Sequence, residues 1–548
     1  MGDRTRWWIA LCTGLAIGAV LVVSNVYFGL KTGWWDGTGI LPSLLGFSLL
    51  GPALRGRGGF SVADNVLVQS AATAMSQMPS VVGVLSVLPA LALIGHAIPA
   101  PQLVVFGIFS GLLGILVAIQ LRQRMVVEER LPFPTGLVTA QLIGTLHESS
   151  QAARSRLRTL VGCGAFAMAV TWARDSAGWI PQAFAPAATL LGQPTRTLTL
   201  GISWSPLLFS AGALVGPKNG LGMLLGSFVA WGLVVPTLLA ARIVEGAEFG
   251  QLVAWLLWPG VAMLVGGGLP GVVSSVHRAI VRGGGVGRQS PLFALVLIAA
   301  AASAAWAFGL SPGMTVLGVL VALVSAVVCC RCNGESGVVP ITSLAQLMQI
   351  VVAPWISGRP EVSLGAAAVA AGAAPQSTQL LESFKVAELI GAPMRDQVRA
   401  QIAGVLLGAL VAIPAYWLIT SAYPIGDPAL PAPTAQTLGA IAGLGSRELP
   451  AFALTAALAG LAAGLVLAAL QPTRLGRWVP SPTCVGIAFL VPASQSAAMA
   501  CGAMISGILA MRRPLLHEQH GVLLASGGVV GESLMAMLIA ATRAVWPA

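Results

Sequence analysis

The residues that could bind or move something are amide, ammonium and carboxylate side chains set inside otherwise apolar sequence. Pro375 to Glu388 reads Pro-Gln-Ser-Thr-Gln-Leu-Leu-Glu-Ser-Phe-Lys-Val-Ala-Glu, with Gln376 at its start. On a helix Gln379, Glu382 and Lys385 fall at i, i+3 and i+6, on or near one face. Glu382 and Lys385 could pair at i, i+3, either as a structural clamp or as a proton and substrate site. Asp64, Asn65, Gln69, Ser70, Thr73, Ser76 and Gln77 make a second face too polar for lipid. An ionised carboxylate at the bilayer centre costs about 2.5–3.5 kcal/mol even on the lenient insertion scale, so this face must turn toward a partner helix or water. Asp64 capping the helix start near the headgroups is the structural alternative. Asn25, Tyr27 and Lys31 set an amide, a phenol and an ammonium at the end of the first apolar run, and Lys31 is one of only three lysines, with Lys218 and Lys385. Glu335 precedes another polar face, with Thr342, Ser343, Gln346 and Gln349, in an apolar setting, and Glu532 stands alone within the last long apolar run. Either could carry a coupling proton, or lie solvated at a helix end.

These residues need helices to hold them in a membrane. The chain has 548 residues, 56% hydrophobic and 9% charged, with a mean hydropathy of +0.86, far from the roughly 25% charged residues of a soluble domain. Apolar runs of roughly 17–25 residues, each long enough to cross a bilayer, recur from end to end. Spans are expected near 7–30, 36–54, 62–78, 79–97, 101–123, 157–174, 203–216, 218–241, 250–268, 290–309, 312–330, 340–356, 362–380, 398–421, 450–471, 497–511 and 520–546, about 16 in all. The fold class is therefore an all-α polytopic membrane protein. The first run is too long for a signal peptide and has no cleavage site.

The net charge of +11 does not point to nucleic acid, because the arginines cluster between apolar runs, where positive charge marks cytoplasmic loops. Arg4 and Arg6, then Arg55 and Arg57, place the N-terminus in the cytoplasm of a bacterial-type inner (plasma) membrane. Arg122, Arg124 and Arg130, then Arg154, Arg156 and Arg158, mark further inside loops, provided that Phe60 to His96 crosses an odd number of times. The seven cysteines show no disulfide spacing. Cys329, Cys330 and Cys332 have no nearby histidine and read as small buried residues rather than metal ligands. The five histidines read as solvated. Phosphate-loop, His-Glu-x-x-His and Gly-x-Ser-x-Gly patterns are absent from the sequence, which argues against ATP-driven transport by this chain, a protease or an esterase. Neither a cofactor nor a metal is expected.

Two short apolar pieces, Phe133 to Leu146 and Pro482 to Ala493, suit half-membrane re-entrant segments better than full crossings. Each opens on Pro-x-Pro: Pro132-Phe133-Pro134-Thr135 and Pro480-Ser481-Pro482. Backbone that loses hydrogen bonds to proline at membrane depth must be buried in protein or line a wet cavity. Ser210 to Gly216 beside Ser526 to Gly531, and Asn25 beside Asn333, repeat the correspondence in the same order. An internal duplication follows, with a first membrane repeat at 1–245, connecting helices at 246–309 and a second repeat at 310–548. Such repeats are the signature of secondary transporters, whose sites lie at the repeat interface.

Several of these motifs together resemble the oligopeptide transporter (OPT) family, including its yellow stripe-like branch. Asn25-Val26-Tyr27-Phe28-Gly29-Leu30-Lys31-Thr32-Gly33 resembles the family's Asn-x-Tyr-x-Gly-Leu-Lys-x-Gly signature, and Leu131-Pro132-Phe133-Pro134-Thr135-Gly136 is similar to its Leu-Pro-(Phe/Tyr)-Pro-(Ser/Thr)-Gly segment. Leu381 to Lys385 followed by Gly391-Ala392-Pro393-Met394-Arg395-Asp396-Gln397 resembles a second-half element, with Met394 inserted between Pro and Arg. Val485 to Pro492 and Ser526 to Ser533 resemble the closing pieces. The Asn-Pro-Gly and Lys-Ile-Pro-Pro-Arg motifs of the eukaryotic peptide branch are not found.

The resemblance implies a 16-helix, proton-driven secondary transporter of small peptides or of metal complexes of peptide-like chelators, and no enzyme. The expected reading is proton-coupled symport of peptides or peptide-like compounds, with siderophore- or nicotianamine-like metal chelates as the alternative. The cavity is expected between the halves, lined by Asn25, Tyr27, Lys31, Asn65, Gln69, Gln379, Glu382 and Lys385. Asp64, Glu335, Gln376 and Glu532 are further candidates, and Pro132, Pro134, Thr135, Pro480 and Pro482 shape its ends. Lys31 near the headgroups would be a weaker site residue than Lys385 unless the first helix breaks at Gly29. The expected partners are a small-molecule substrate, protons and the lipid bilayer, with a homodimer left open and nucleic acid excluded.

Overall fold

The computed structural model describes residues 3–35, 37, 39–54, 59–148, 150–244, 246–281, 291–336, 339, 341–352, 356, 359–443, 450–477 and 479–545. Arg55 and Arg57, read above as inside markers, lie outside the described residues. Helix dominates, as it must in a chain whose backbone polar groups are withdrawn from water and satisfied within each segment. Strand among the described residues is confined to two ribbons, Ala183–Phe184 with Ile202–Ser203 and Thr189–Leu190 with Gln193–Pro194. Among the described residues, eleven helices are long and apolar enough to cross a membrane. The protein is an all-α, multi-pass membrane protein.

In chain order the helices that frame the polar residues are α1 (Asp3–Thr32), α2 (Val62–Ser76), α3 (Ala100–Arg122), α4 (Pro134–Glu148), α5 (Ser150–Asp175), α6 (Pro206–Val215), α7 (Pro312–Ser336), α8 (Ala374–Ile390), α9 (Met394–Ala422), α10 (Ala493–Arg512) and α11 (Pro514–Val545). Eleven long helices stand against about 16 expected spans because prolines and glycines break several runs. The stretch 62–97, expected as two spans, forms α2, Met78–Val82 and Val87–Leu93, with breaks at Gln77 and at left-handed Gly83. The run 362–380 stops at Gly372 and restarts as α8, where Pro375 supplies no backbone N–H. α4 and Pro482–Ile487 both start on the second proline of their Pro-x-Pro, the helix position where a missing N–H costs least. Both are too short to count among the eleven.

The chain divides into two compact units. Unit 1 comprises residues 1–26, 35–158 and 272–417; unit 2 comprises 27–34, 159–271 and 418–548. Unit 1 is built around α8, which packs against α2, α3, α4 and α7. Almost every α8 side chain from Ala374 to Ala387 is buried, so it is a core helix on all sides rather than an amphipathic one. Its Gln, Leu, Glu and Ala content favours helix, and left-handed Gly391 ends it. In unit 2, α6 is enclosed by α10 and α11. The α6–α10 crossing brings backbones together at small residues, as membrane helices do when packing rather than hydrophobicity holds them. A Cβ on Gly212 would overlap the Met499 carbonyl, and one on Gly502 would overlap the Phe209 carbonyl.

Gly212→Leu should therefore lower the melting temperature in detergent by an amount equivalent to about 1–3 kcal/mol of overpacking. Fluorescence-detected size-exclusion after a heating series measures it. An unchanged midpoint would contradict this crossing.

Candidate functional site

Unit 1 holds a layer of amides between α2, α8 and α9. Gln401 of α9 accepts from Gln376 Nε2 and donates to the Ser70 carbonyl (3.3 Å), Ser70 Oγ (3.4 Å) and Ser383 Oγ (3.4 Å). Gln77, at the break after α2, donates to Gln379 Oε1 (3.2 Å) and accepts from Trp35 Nε1 (3.2 Å). Asn333 Nδ2 of α7 donates to Glu382 Oε1 at 2.8 Å. Four fully buried amide atoms find no partner: Asn65 Oδ1, Gln69 Oε1, Gln376 Oε1 and Gln379 Nε2. Leaving one such group unpaired costs about 1–3 kcal/mol. Two of the four lie on α2 and two on α8, helices that pack against each other. Glu382 is buried, and among the described residues it makes no salt bridge. The layer thus offers neutral donors and acceptors around one acid, with no cation in it.

Unit 2 holds the opposite arrangement. Glu532 of α11, fully buried, meets Lys31 Nζ at 2.8 Å and Arg174 Nη2 at 3.2 Å. Ser205 Oγ donates to it at 2.8 Å, and the Leu207 backbone N–H at 2.9 Å. Ser205 is also the N-cap of α6, so the carboxylate sits at a helix N-terminus, where the exposed N–H groups and the dipole favour an anion. Arg174 forks onto Asp175 with two bonds of 2.7 Å and donates to the Trp204 carbonyl at 2.8 Å. Lys31 also donates to Tyr27 OH at 3.0 Å, and the Tyr27 ring packs on Tyr423, 5.7 Å between centroids. Two cations face two anions, and none of the four charged groups keeps a buried atom without a partner. Removing one member of such a matched set leaves a buried charge uncompensated, which is costly on either side.

The predicted site residues therefore separate. Tyr27, Lys31 and Glu532 belong to unit 2, and Lys31 is already engaged by a carboxylate. Asn65, Gln69, Gln376, Gln379 and Glu382 form or adjoin the unit 1 layer. Asn25 donates to the Ser76 carbonyl at 3.0 Å and ties α1 to the end of α2. Asp64 closes a capping box with Ser61, the structural alternative weighed above. Lys385 pairs with Glu388 at 3.7 Å rather than with Glu382, which turns to Asn333 instead. Glu335 lies 3.6 Å from Arg331. Pro132, Pro134 and Thr135 stand where an irregular segment enters α4, and Pro480 and Pro482 flank the start of Pro482–Ile487. His147, expected to be solvated, packs against the rings of both Phe47 and Phe60. Among the described residues no group of three or more His, Cys, Asp or Glu could hold a metal.

Sequence reading missed Arg174, Asp175, Ser205 and Gln401. An Arg-Asp dipeptide ending an apolar helix was the available signal for the first two. Lys31→Met should destabilise the protein by about 3–5 kcal/mol, the cost of stranding a buried charge. Lys31→Met/Glu532→Gln should recover most of that loss. Melting curves of the two variants in detergent check this, and a double variant no more stable than the single would refute the pairing.

Comparison with known proteins agrees with the fold and the motifs. The profile described as "OPT oligopeptide transporter protein" matches residues 8–289 and 286–542. A Haemophilus influenzae protein named "Putative oligopeptide transporter" is 26% identical, covering 94% of this chain and 92% of its own length. A rice (Oryza sativa subsp. japonica) protein named "Probable metal-nicotianamine transporter YSL17" is 24% identical over 92% of this chain and 84% of its own. A Saccharomyces cerevisiae protein named "Putative oligopeptide transporter YGL114W" is 32% identical over 25% of this chain and 21% of its own. The family and these relatives are transporters, not enzymes. On the family match along nearly its whole length, this chain belongs to the OPT oligopeptide transporter family.

Proposed function

We propose that the chain is a secondary active transporter that carries small peptides or peptide-like compounds into the cytoplasm together with protons. It would sit in a bacterial-type plasma membrane with its N-terminus inside. The observation that carries the reading is the unit 1 layer, in which buried amides with unpartnered atoms on α2 and α8 share α8 with an acid that makes no salt bridge among the described residues. Amides of both polarities suit the N–H and C=O groups of a peptide-like guest. A carboxyl that takes up a proton no longer needs a counter-charge in a medium where isolated charge is expensive, so Glu382 is the proposed proton carrier. The saturated Lys31–Glu532–Arg174–Asp175 cluster holds unit 2 together in this reading and does not touch substrate.

The repeat at 1–245 and 310–548, joined by 246–309, is kept as part of the proposal. Its support is that each compact unit draws chain from both proposed repeats. A second substrate class, metal chelates of peptide-like ligands, is favoured by the rice relative named for metal-nicotianamine transport. The same amides could hold the organic part of such a complex.

Purified protein in liposomes should accumulate its substrate only under an imposed proton gradient or potential. One charge moving down 100 mV supplies about 2.3 kcal/mol, roughly fifty-fold accumulation at equilibrium. Glu382→Gln should abolish accumulation yet keep downhill exchange of labelled substrate. Uptake indifferent to gradient and potential would refute proton coupling, and normal accumulation by Glu382→Gln would remove the acid from its role. Peptides and metal chelates tested in parallel decide the substrate class.

A further inference from the structure

The segment leading into α4 is a strained hook docked on the last turn of α7. Arg130 and Phe133 both adopt left-handed backbone, with φ of 49° and 43°, a region that non-glycine residues rarely occupy and that persists only where surrounding structure enforces it. The enforcing contacts come from α7. The Phe133 amide donates to the Gly334 carbonyl at 2.9 Å, and the Phe133 ring is fully buried. The hook packs closely on Gly334, where an added Cβ would stand 2.8 Å from Leu131 Cδ1 and 3.0 Å from Phe133 Cζ, so those side chains would have to shift. Arg331, one turn earlier on α7, clamps Glu129 just before the hook with bonds of 2.9 and 2.6 Å.

The same turn carries the amide that meets the buried acid. Asn333, next to Gly334 in the chain, donates to Glu382 Oε1 at 2.8 Å. Beyond the hook, Gly136 in the first turn of α4 lies against the Glu382 backbone, where an added Cβ would come within 3.2 Å of its carbonyl. Glu382 is therefore linked to the hook indirectly, by its carboxyl through Asn333–Gly334 and by its backbone through the start of α4.

We infer that Asn333 is a positioning residue that couples Glu382 to the Pro-x-Pro hook: the hydrogen bond that orients the carboxyl also fixes the α7 turn on which the hook docks. A change at the acid loosens the hook, and displacement of the hook frees the acid to reorient. The inference takes from the transporter reading only the role of Glu382. The contacts themselves do not depend on it.

Backbone hydrogen exchange at Phe133, followed by mass spectrometry on the full chain in nanodiscs, reads the docking without any transport assay. Glu382→Ala and Asn333→Ala should each speed exchange at Phe133 by about five-fold, the effect of one ordinary hydrogen bond. Glu382→Gln keeps an acceptor oxygen and should fall between wild type and Glu382→Ala. If the alanine variants fail to fold, Asn333→Ser takes the place of Asn333→Ala. Unchanged exchange at Phe133 in folded Asn333 and Glu382 variants overturns the coupling. Faster exchange in a protein whose uptake ignores proton gradients would leave this coupling standing and refute the proton role of Glu382 alone. As a functional readout, Gly334→Ala should weaken gradient-driven accumulation in the same way as Asn333→Ala, and the double variant should be no worse than either. Additive losses would mean that hook and acid act independently.

Discussion

A carboxylate taken out of water must be matched, and Glu532 shows how completely this chain does so. An ammonium, a guanidinium, a hydroxyl and a backbone N–H at a helix start converge on one side chain. Each partner comes from a different segment: the end of α1, the end of α5, the turn before α6 and the first turn of α6. Matching this one charge sets how those segments meet α11 within unit 2. Removing water from the surroundings strengthens each of these bonds and makes any missing one expensive. The close glycine contacts of α6 with α10 then add packing to a framework whose electrostatics are already closed.

Unit 1 applies the same physics with the set left open. Its central helix α8 is buried on all sides yet carries Gln376, Gln379 and Glu382, and several of their atoms, with those of Asn65 and Gln69 opposite, lack partners. In the reading proposed above, these open positions are where the guest binds. Glu382 stands at their edge with one amide partner and no cation, and that partner belongs to the turn on which the Pro-x-Pro hook is docked. Strain in the hook and incompleteness in the layer thus meet at a single turn of α7.

Much of this was legible in the sequence. Apolar runs fixed the helical class, and polar residues inside them pointed to both faces of the amide layer before any geometry was known. The Pro-x-Pro pieces became short helices starting on proline, because that chemistry is local. Long-range pairing was not legible. Lys31 and Glu532 lie 501 positions apart, and nothing in either stretch shows that the lysine is already spent on a carboxylate. Glu382 and Lys385 have the right spacing for a pair, yet Lys385 leans toward Glu388 while Glu382 meets Asn333. Spacing on one helix permits a contact, and the neighbouring helices decide which contact forms. Nor was it legible that each compact unit draws chain from both the N-terminal and the C-terminal part of the sequence.

The central claim is that guest binding resides in the open amide layer and that the closed charge cluster is scaffold. Substrate affinity measured by isothermal titration, on the compound that wild-type proteoliposomes accumulate, separates the two most directly. Gln379→Ala should weaken binding about tenfold, alongside the modest drop in melting temperature expected from stranding the Gln77 amide that it accepts. Lys31→Met/Glu532→Gln should bind as wild type does. Binding lost in the charge-cluster variant and retained in Gln379→Ala would contradict the account.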